Sequence, residues 1–218
     1  MSTNEQQITE LEQRRQAVFK AAFRLFDQQG FQATSLPQIA QAAGIPLELV
    51  RLEFGVPINI LLQRLIHGDC SVWQQGYRQL FELHDPVDAV YDFGRLTAQF
   101  FLEHLGLPLC RELMAQIQLG LHGDSRLLYE EILGRIQESL KQLLEHLLQR
   151  GLLPAPQDLD SIVQVLMDVG HSYCARLLRD GPLKVQTTGV NAREAIRLFF
   201  EGVRALQDAS GPAAPDEF

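Results

Sequence analysis

Between residues 30 and 55 glycine and proline cut the chain into helical pieces too short to stand alone, and that punctuation restricts the fold more than any other feature. Apolar Leu11, Val18, Ala22, Leu25 and Phe26 recur at helical spacing from Ile8 to Gln29, and Gly30 follows where a left-handed cap belongs. Ser35 with Gln38 three residues on has the form of a capping box, and Pro37 falls in the first turn, where a missing N–H costs little. A second helix then runs through Ile39, Ala40 and Ala43 to Gly44, and Pro46 opens a third, Leu47 to Phe54, closed by Gly55. Helices below roughly 12 residues are marginal without tertiary support. These two must therefore pack on the first, with Val18, Ala22 and Leu25 meeting Ile39, Ala43, Val50 and Phe54. Two short helices joined by a tight glycine turn make a helix-turn-helix.

The remainder reads as helix throughout. Ile58, Leu61, Leu62, Leu65, Ile66, Val72, Trp73 and Leu80 suggest one long fourth helix reaching about Glu82, where His84-Asp85-Pro86 breaks it. Further helices follow through Val90, Phe93 and Phe100, with a stop at Gly106 and Pro108, and then to about Gly120. Leu128, Ile132, Ile136, Leu140, Leu143 and Leu147 form a long stripe ending at Gly151 and Pro154. Two last helices, Leu159 to Leu178 and Ala192 to Leu206, flank a loop from Gly181 to Gly189. Their apolar faces are wide enough to suggest burial beyond the domain's own core. The expectation is all-α, about nine helices, with a domain over residues 1–55, a larger one over 56–209, and a disordered tail at 210–218.

Composition removes several alternatives. In 218 residues with 46% hydrophobic content a sizeable core is available. Three scattered cysteines argue against a disulfide framework and fit a reducing cytoplasm. The polar N-terminus lacks the features of a signal peptide, and no run approaches the roughly 20 apolar residues of a bilayer span, so no membrane role is expected. A net charge of −8 argues against coating nucleic acid by bulk attraction. Up to Gly55, however, Arg14, Arg15, Lys20, Arg24 and Arg51 nearly balance the acids, which leaves room for a local DNA-reading surface.

The segment from Ala21 to Phe54, AAFRLFDQQGFQATSLPQIAQAAGIPLELVRLEF, resembles the N-terminal domain of the tetracycline-repressor family. The match lies in Ala21-Ala22, Leu25-Phe26, Gly30-Phe31, Thr34-Ser35, Ile39-Ala40, Ala43-Gly44-Ile45 and Phe54, in register without gaps. Leu61-Leu62 falls where the family's fourth helix begins. The resemblance implies a ligand-responsive DNA-binding transcriptional regulator. It implies a homodimer through the last two helices, whose third helices enter successive major grooves of operator DNA, and a C-terminal pocket that changes the separation of the two heads. A rigid dimer fixes half-site spacing, so a small pivot of the fourth helix would spoil simultaneous engagement.

The third helix departs from the family pattern. Pro46, Glu48, Arg51 and Leu52 stand where a capping hydroxyl, a small residue and an aromatic pair are common, and Pro57 replaces a Lys. Glu48 and Glu53 would then face a polyanion. Compensating groups are Arg14 and Arg15 for the backbone, Thr34 and Ser35 donating to phosphate at a helix N-terminus, and Gln38 and Gln41 as hydrogen-bonders. Arg51 could pair with guanine, Glu48 accept from cytosine, and Leu47 complete the surface. The plainer reading pairs Arg51 with Glu48 or Glu53 on a solvated face. A family-like helical adaptor or ligand-binding protein with lost operator binding is the alternative function.

By analogy Trp73, Tyr77, Phe100, His104, Met114, Met167 and His171 wall an effector pocket for a small hydrophobic or amphipathic molecule, although such stripes are also what any bundle core needs. His67 with Cys70 and His171 with Cys174 have a helical metal-ligand spacing, but ordinary core packing accounts for them and no metal or other cofactor is expected. There is no glycine-rich phosphate loop, no Gly-x-Ser-x-Gly elbow and no His-Glu-x-x-His, so no enzyme is expected. Gly170, Ala175, Gly202 and Ala205 would allow close approach of helices at a dimer interface, or an ordinary internal crossing.

Overall fold

A computed structural model describes residues 3–153, 158–180 and 185–209, with side chains over 10–153, 158–179 and 192–205. Every element in it is helical: α1 (Thr3–Gln29), α2 (Leu36–Ala43), α3 (Leu47–Phe54), α4 (Pro57–His67), α5 (Ser71–Leu80), α6 (Pro86–Leu119), α7 (Gly123–Gln149), α8 (Leu159–Asp180) and α9 (Val185–Ala209). No helix among the described residues is long and apolar enough to cross a membrane.

The three N-terminal helices follow the punctuation of the sequence. Gly30 and Gly44 take φ of 84° and 68°, the left-handed values that an L side chain resists. At Gly44 the amide closes on the Ala40 and Gln41 carbonyls and ends α2. Pro46 stands just outside α3 as its N-cap, with Leu47 the first helical residue. Three elements differ from expectation. The first helix starts at Thr3, five residues before the periodicity becomes apolar. The single helix anticipated from Ile58 to Glu82 is two, because the chain leaves helical geometry at Gly68 (φ −68°, ψ 160°) before restarting at Ser71. Asp69 promotes that restart by accepting the Ser71 amide at 2.9 Å. The stop expected at Gly106 and Pro108 is present as a kink within α6, where Gly106 leaves helical geometry at φ 73°. The segment expected as a loop to Gly189 is helical from Val185. The tail at 210–218 lies outside the described residues.

The chain divides into two compact units, residues 1–68 with 104–132 and residues 69–103 with 133–218. In the first, Val18, Ala22, Ile39, Val50 and Phe54 of α1, α2 and α3 are buried together with Ile60, Leu61 and Leu62 of α4. The Phe19 and Phe54 rings meet edge to face at 6.0 Å. In the second, Leu140, Leu143, Leu144 and Leu147 form the ridge of α7 around which Val90, Phe93, Val163, Leu166 and Ile196 close. Leu144 is fully buried on that ridge. Leu144→Ala is expected to lower stability by about 2–5 kcal/mol, read as an earlier midpoint in urea at unchanged helix content in buffer.

Candidate nucleic-acid interface

Helix α3 is shaped by what it buries. Val50 and Phe54 are 1% exposed and face α1 and α4, so the opposite side is left to solvent. At about 100° per residue, Glu48 and Leu52 lie about 40° apart and Arg51 about 60° to the other side of Glu48, so all three share that outer face. Glu48 and Arg51 side chains are 81% and 55% exposed and form a loose pair at 3.8 Å, too solvated to contribute much to stability. Leu52 is 85% exposed.

Glu53 does not belong to this surface, contrary to expectation. It turns inward, where Arg15 Nε donates to its carboxylate at 2.9 Å, with the two side chains only 23% and 16% exposed. Arg15 thus braces α1 against α3, and the pair engages one of the two acids thought to oppose DNA. Thr34 is also reassigned. It is buried, its hydroxyl donates to the Gly30 carbonyl at 2.8 Å and accepts from Gln29, and its amide donates to Phe31. Its task is to hold the turn that launches α2. Ser35 and Gln38 form the anticipated cap: the Gln38 carboxamide oxygen accepts from the Ser35 amide at 2.8 Å and from its hydroxyl at 2.9 Å. Both remain exposed at the start of α2, as does Gln41 on its surface, while Arg14 and Leu47 are half-buried.

The strongest constraint on α3 comes from three residues that sequence reasoning overlooked. Asn59 of α4 is 4% exposed, and its amide donates to the Phe54 carbonyl at 2.7 Å, while Gln63 donates to the Glu53 carbonyl at 2.9 Å. Two of the orphan carbonyls at the C-terminus of α3 are therefore answered from α4. Ser125 in the first turn of α7 donates to Asn59 Oδ1 at 2.6 Å and fixes the carboxamide's orientation. The available signal was a pair of amides four residues apart on an otherwise apolar helix, directly after a helix ending in glycine.

Seven residues are expected to wall an effector pocket. His104 and Met114 belong to the first unit, and the other five to the second. Trp73 and Tyr77 stack at 4.8 Å and pack on Phe93 within the second core, where burial pushes the Tyr77 phenol up to about 12 and its hydroxyl donates to the Ser139 carbonyl at 2.7 Å. Met167 rests on the same core. An apolar cleft of the second unit is lined instead by Leu144, Leu148, Leu153, Leu159, Ile162, Phe200 and Val203. His67 ends α4 while Cys70 precedes α5, so that pair does not share a helix face. No group of three or more metal-ligating side chains occurs among the described residues.

With this geometry established, the comparisons are informative. Residues 18–49 match the family model of the bacterial regulatory proteins of the tetR family. No curated protein sequence matches the chain. Among solved structures, Thermus thermophilus FadR, a TetR-family transcriptional repressor in complex with lauroyl-CoA, superposes with a TM-score of 0.63 at 20% identity, covering 94% of this chain and 99% of that one. The regulator FadR from Bacillus subtilis in complex with stearoyl-CoA gives 0.62 at 14% identity, over 83% and 96% of the two chains. The fatty acid degradation regulator FadR from Bacillus halodurans also gives 0.62, at 15% identity over 84% and 94%. The likeness to these structures is one of fold, and the likeness to the tetR family lies in residues 18–49 of the N-terminal helices.

Asn59→Ala is expected to take one of two donors from the Phe54 carbonyl, which keeps the Val56 amide, to leave the Ser125 hydroxyl without its acceptor, and to cost about 1–3 kcal/mol. Ser125→Ala should cost less, since it keeps the Asn59 to Phe54 bond. Chemical denaturation of both variants reads the difference.

Proposed function

We propose that the protein is a homodimeric, ligand-responsive transcriptional regulator, working in the cytoplasm, that binds operator DNA through the outer face of α3. The observation that carries this reading is the division of labour within the first unit. Val50, Phe54 and Glu53 hold α3 in place, while Glu48, Arg51 and Leu52 are presented together on a braced helix at whose start a TetR-family match over residues 18–49 ends. Arg51 is suited to guanine and Glu48 to the amino group of cytosine. Ser35, Gln38, Gln41, Arg14 and Leu47 flank them. In this reading residues 1–55 are the reading head and residues 56–209 the sensing and dimerising part.

Dimerisation through α8 and α9 is supported by what those helices leave uncovered. Val165 and Leu198 are 41% and 59% exposed. A Cβ added at Gly170 or Gly202 would meet nothing within 4 Å, so internal packing does not explain these glycines. Leu198, Gly202 and Ala205 line one face of α9, all exposed. Leu198→Glu is expected to convert a dimer to a monomer in light scattering without loss of helix content, because the position bears no load inside the chain.

The effector is proposed to be hydrophobic or amphipathic, with Trp73, Tyr77, Phe100, Met167 and His171 of the second unit as its candidate contacts. Long-chain acyl-CoA is the first class to try, since two regulators of similar fold hold lauroyl-CoA and stearoyl-CoA. A second reading, a regulator-like protein without operator binding, is favoured by one observation, the 81% exposed carboxylate of Glu48 on the proposed reading face.

A mobility-shift titration on the DNA upstream of the protein's own reading frame distinguishes them. Specific retardation with a shallow salt slope is expected, because few cations per subunit neutralise phosphate. Arg51→Ala should weaken it by roughly 1–3 kcal/mol. Retardation no better than that of unrelated DNA, in wild type and variant alike, would favour the second reading.

A further inference from the structure

Leu52 is the most exposed large apolar side chain among the described residues, at 85%. A single leucine on a surface usually needs no explanation. This one differs in its setting. It projects from an eight-residue helix whose other side is fully committed to the core, and it lies about 40° from Glu48, at the middle of the outer face. Its polar neighbours Glu48 and Arg51 can each exchange hydrogen bonds with base edges, whereas Leu52 can neither donate nor accept.

A side chain of this kind narrows the choice of counterpart. The floor of the major groove offers acceptors on guanine, adenine and thymine, amino donors on adenine and cytosine, and one apolar group, the C5-methyl of thymine. Phosphates flanking the groove give a leucine nothing to bind. We propose that Leu52 is a specificity-determining residue that reads a thymine methyl group in each half of the operator, beside the base pairs addressed by Glu48 and Arg51. This rests on the operator-binding reading above. It adds a base identity to it: a thymine lies within one helical turn of the guanine or cytosine contacted by its neighbours.

The test uses the full-length protein and sites selected from random-sequence duplexes. In the selected site each thymine is replaced in turn by deoxyuridine, which deletes only the methyl, and binding of wild type and Leu52→Ala is compared. At one thymine per half-site, deoxyuridine is expected to weaken wild-type binding about fourfold, the worth of one buried methyl-sized group. Leu52→Ala should bind the thymine and deoxyuridine duplexes equally. Arg51→Ala, weaker throughout, should keep the methyl dependence. Because Leu52 is solvated, its alanine variant should melt as wild type does, which separates lost reading from lost folding. A methyl effect that persists undiminished in Leu52→Ala overturns the proposal, as does a selected site with no methyl-sensitive thymine; both leave operator binding intact. Selection that enriches no sequence overturns the operator-binding reading as well.

Discussion

The C-terminus of a helix leaves carbonyls that must find donors, and in α3 two of those donors are the side-chain amides of Asn59 and Gln63. Much of the reading head depends on this. An eight-residue helix cannot persist by its own hydrogen bonds, so its axis is set by what grips its two sides and its end. Val50 and Phe54 grip one side, the Arg15–Glu53 pair restrains another, and α4 closes the end. With two sides and the end fixed, only one direction remains for Glu48, Arg51 and Leu52.

The same bonds bring α4 and the first turn of α7 into direct mechanical contact with the reading helix. Ser125 orients the Asn59 carboxamide, and Asn59 in turn holds the Phe54 carbonyl, so the three form a chain of buried donors and acceptors within one compact unit. Such a chain tolerates little slack. Moving any member leaves a buried polar group unsatisfied, which is costly in a low-dielectric interior. A displacement of α4 therefore has to carry α3 with it or break the chain, and in the proposed dimer either outcome would alter how the two heads match successive grooves.

Much of this was legible in the amino-acid sequence because local chemistry determined it. The Ser35 and Gln38 cap, the left-handed Gly44 and the Gly55 stop lie within a few residues of the groups they serve, and the apolar spacing around them marks the core faces. Pairings remote in sequence were not legible. Nothing in the local pattern shows that Glu53 finds Arg15, 38 residues earlier, or that Thr34 turns its hydroxyl inward. Asn59 and Gln63 were hidden by their neighbours, since Ile58, Leu61, Leu62 and Leu65 make the helix read as an ordinary apolar face. The end of α4 was missed because the apolar period continues past Gly68 while the backbone does not. In the second unit, Trp73 and Tyr77 stack on one another and pack on Phe93. A periodic stripe identifies a buried face without telling whether a ligand or another side chain meets it.

The central claim is that the outer face of α3 reads base edges in the major groove, twice per dimer. Dimethyl sulfate protection on a selected duplex tests it directly, because the reagent reports guanine N7 in the major groove. The account predicts protected guanines in two symmetric half-sites whose centres lie about one helical turn, 34–36 Å, or a multiple of it apart. Protein-bound DNA whose guanines stay fully reactive, or are shielded with no relation to sequence, would contradict it.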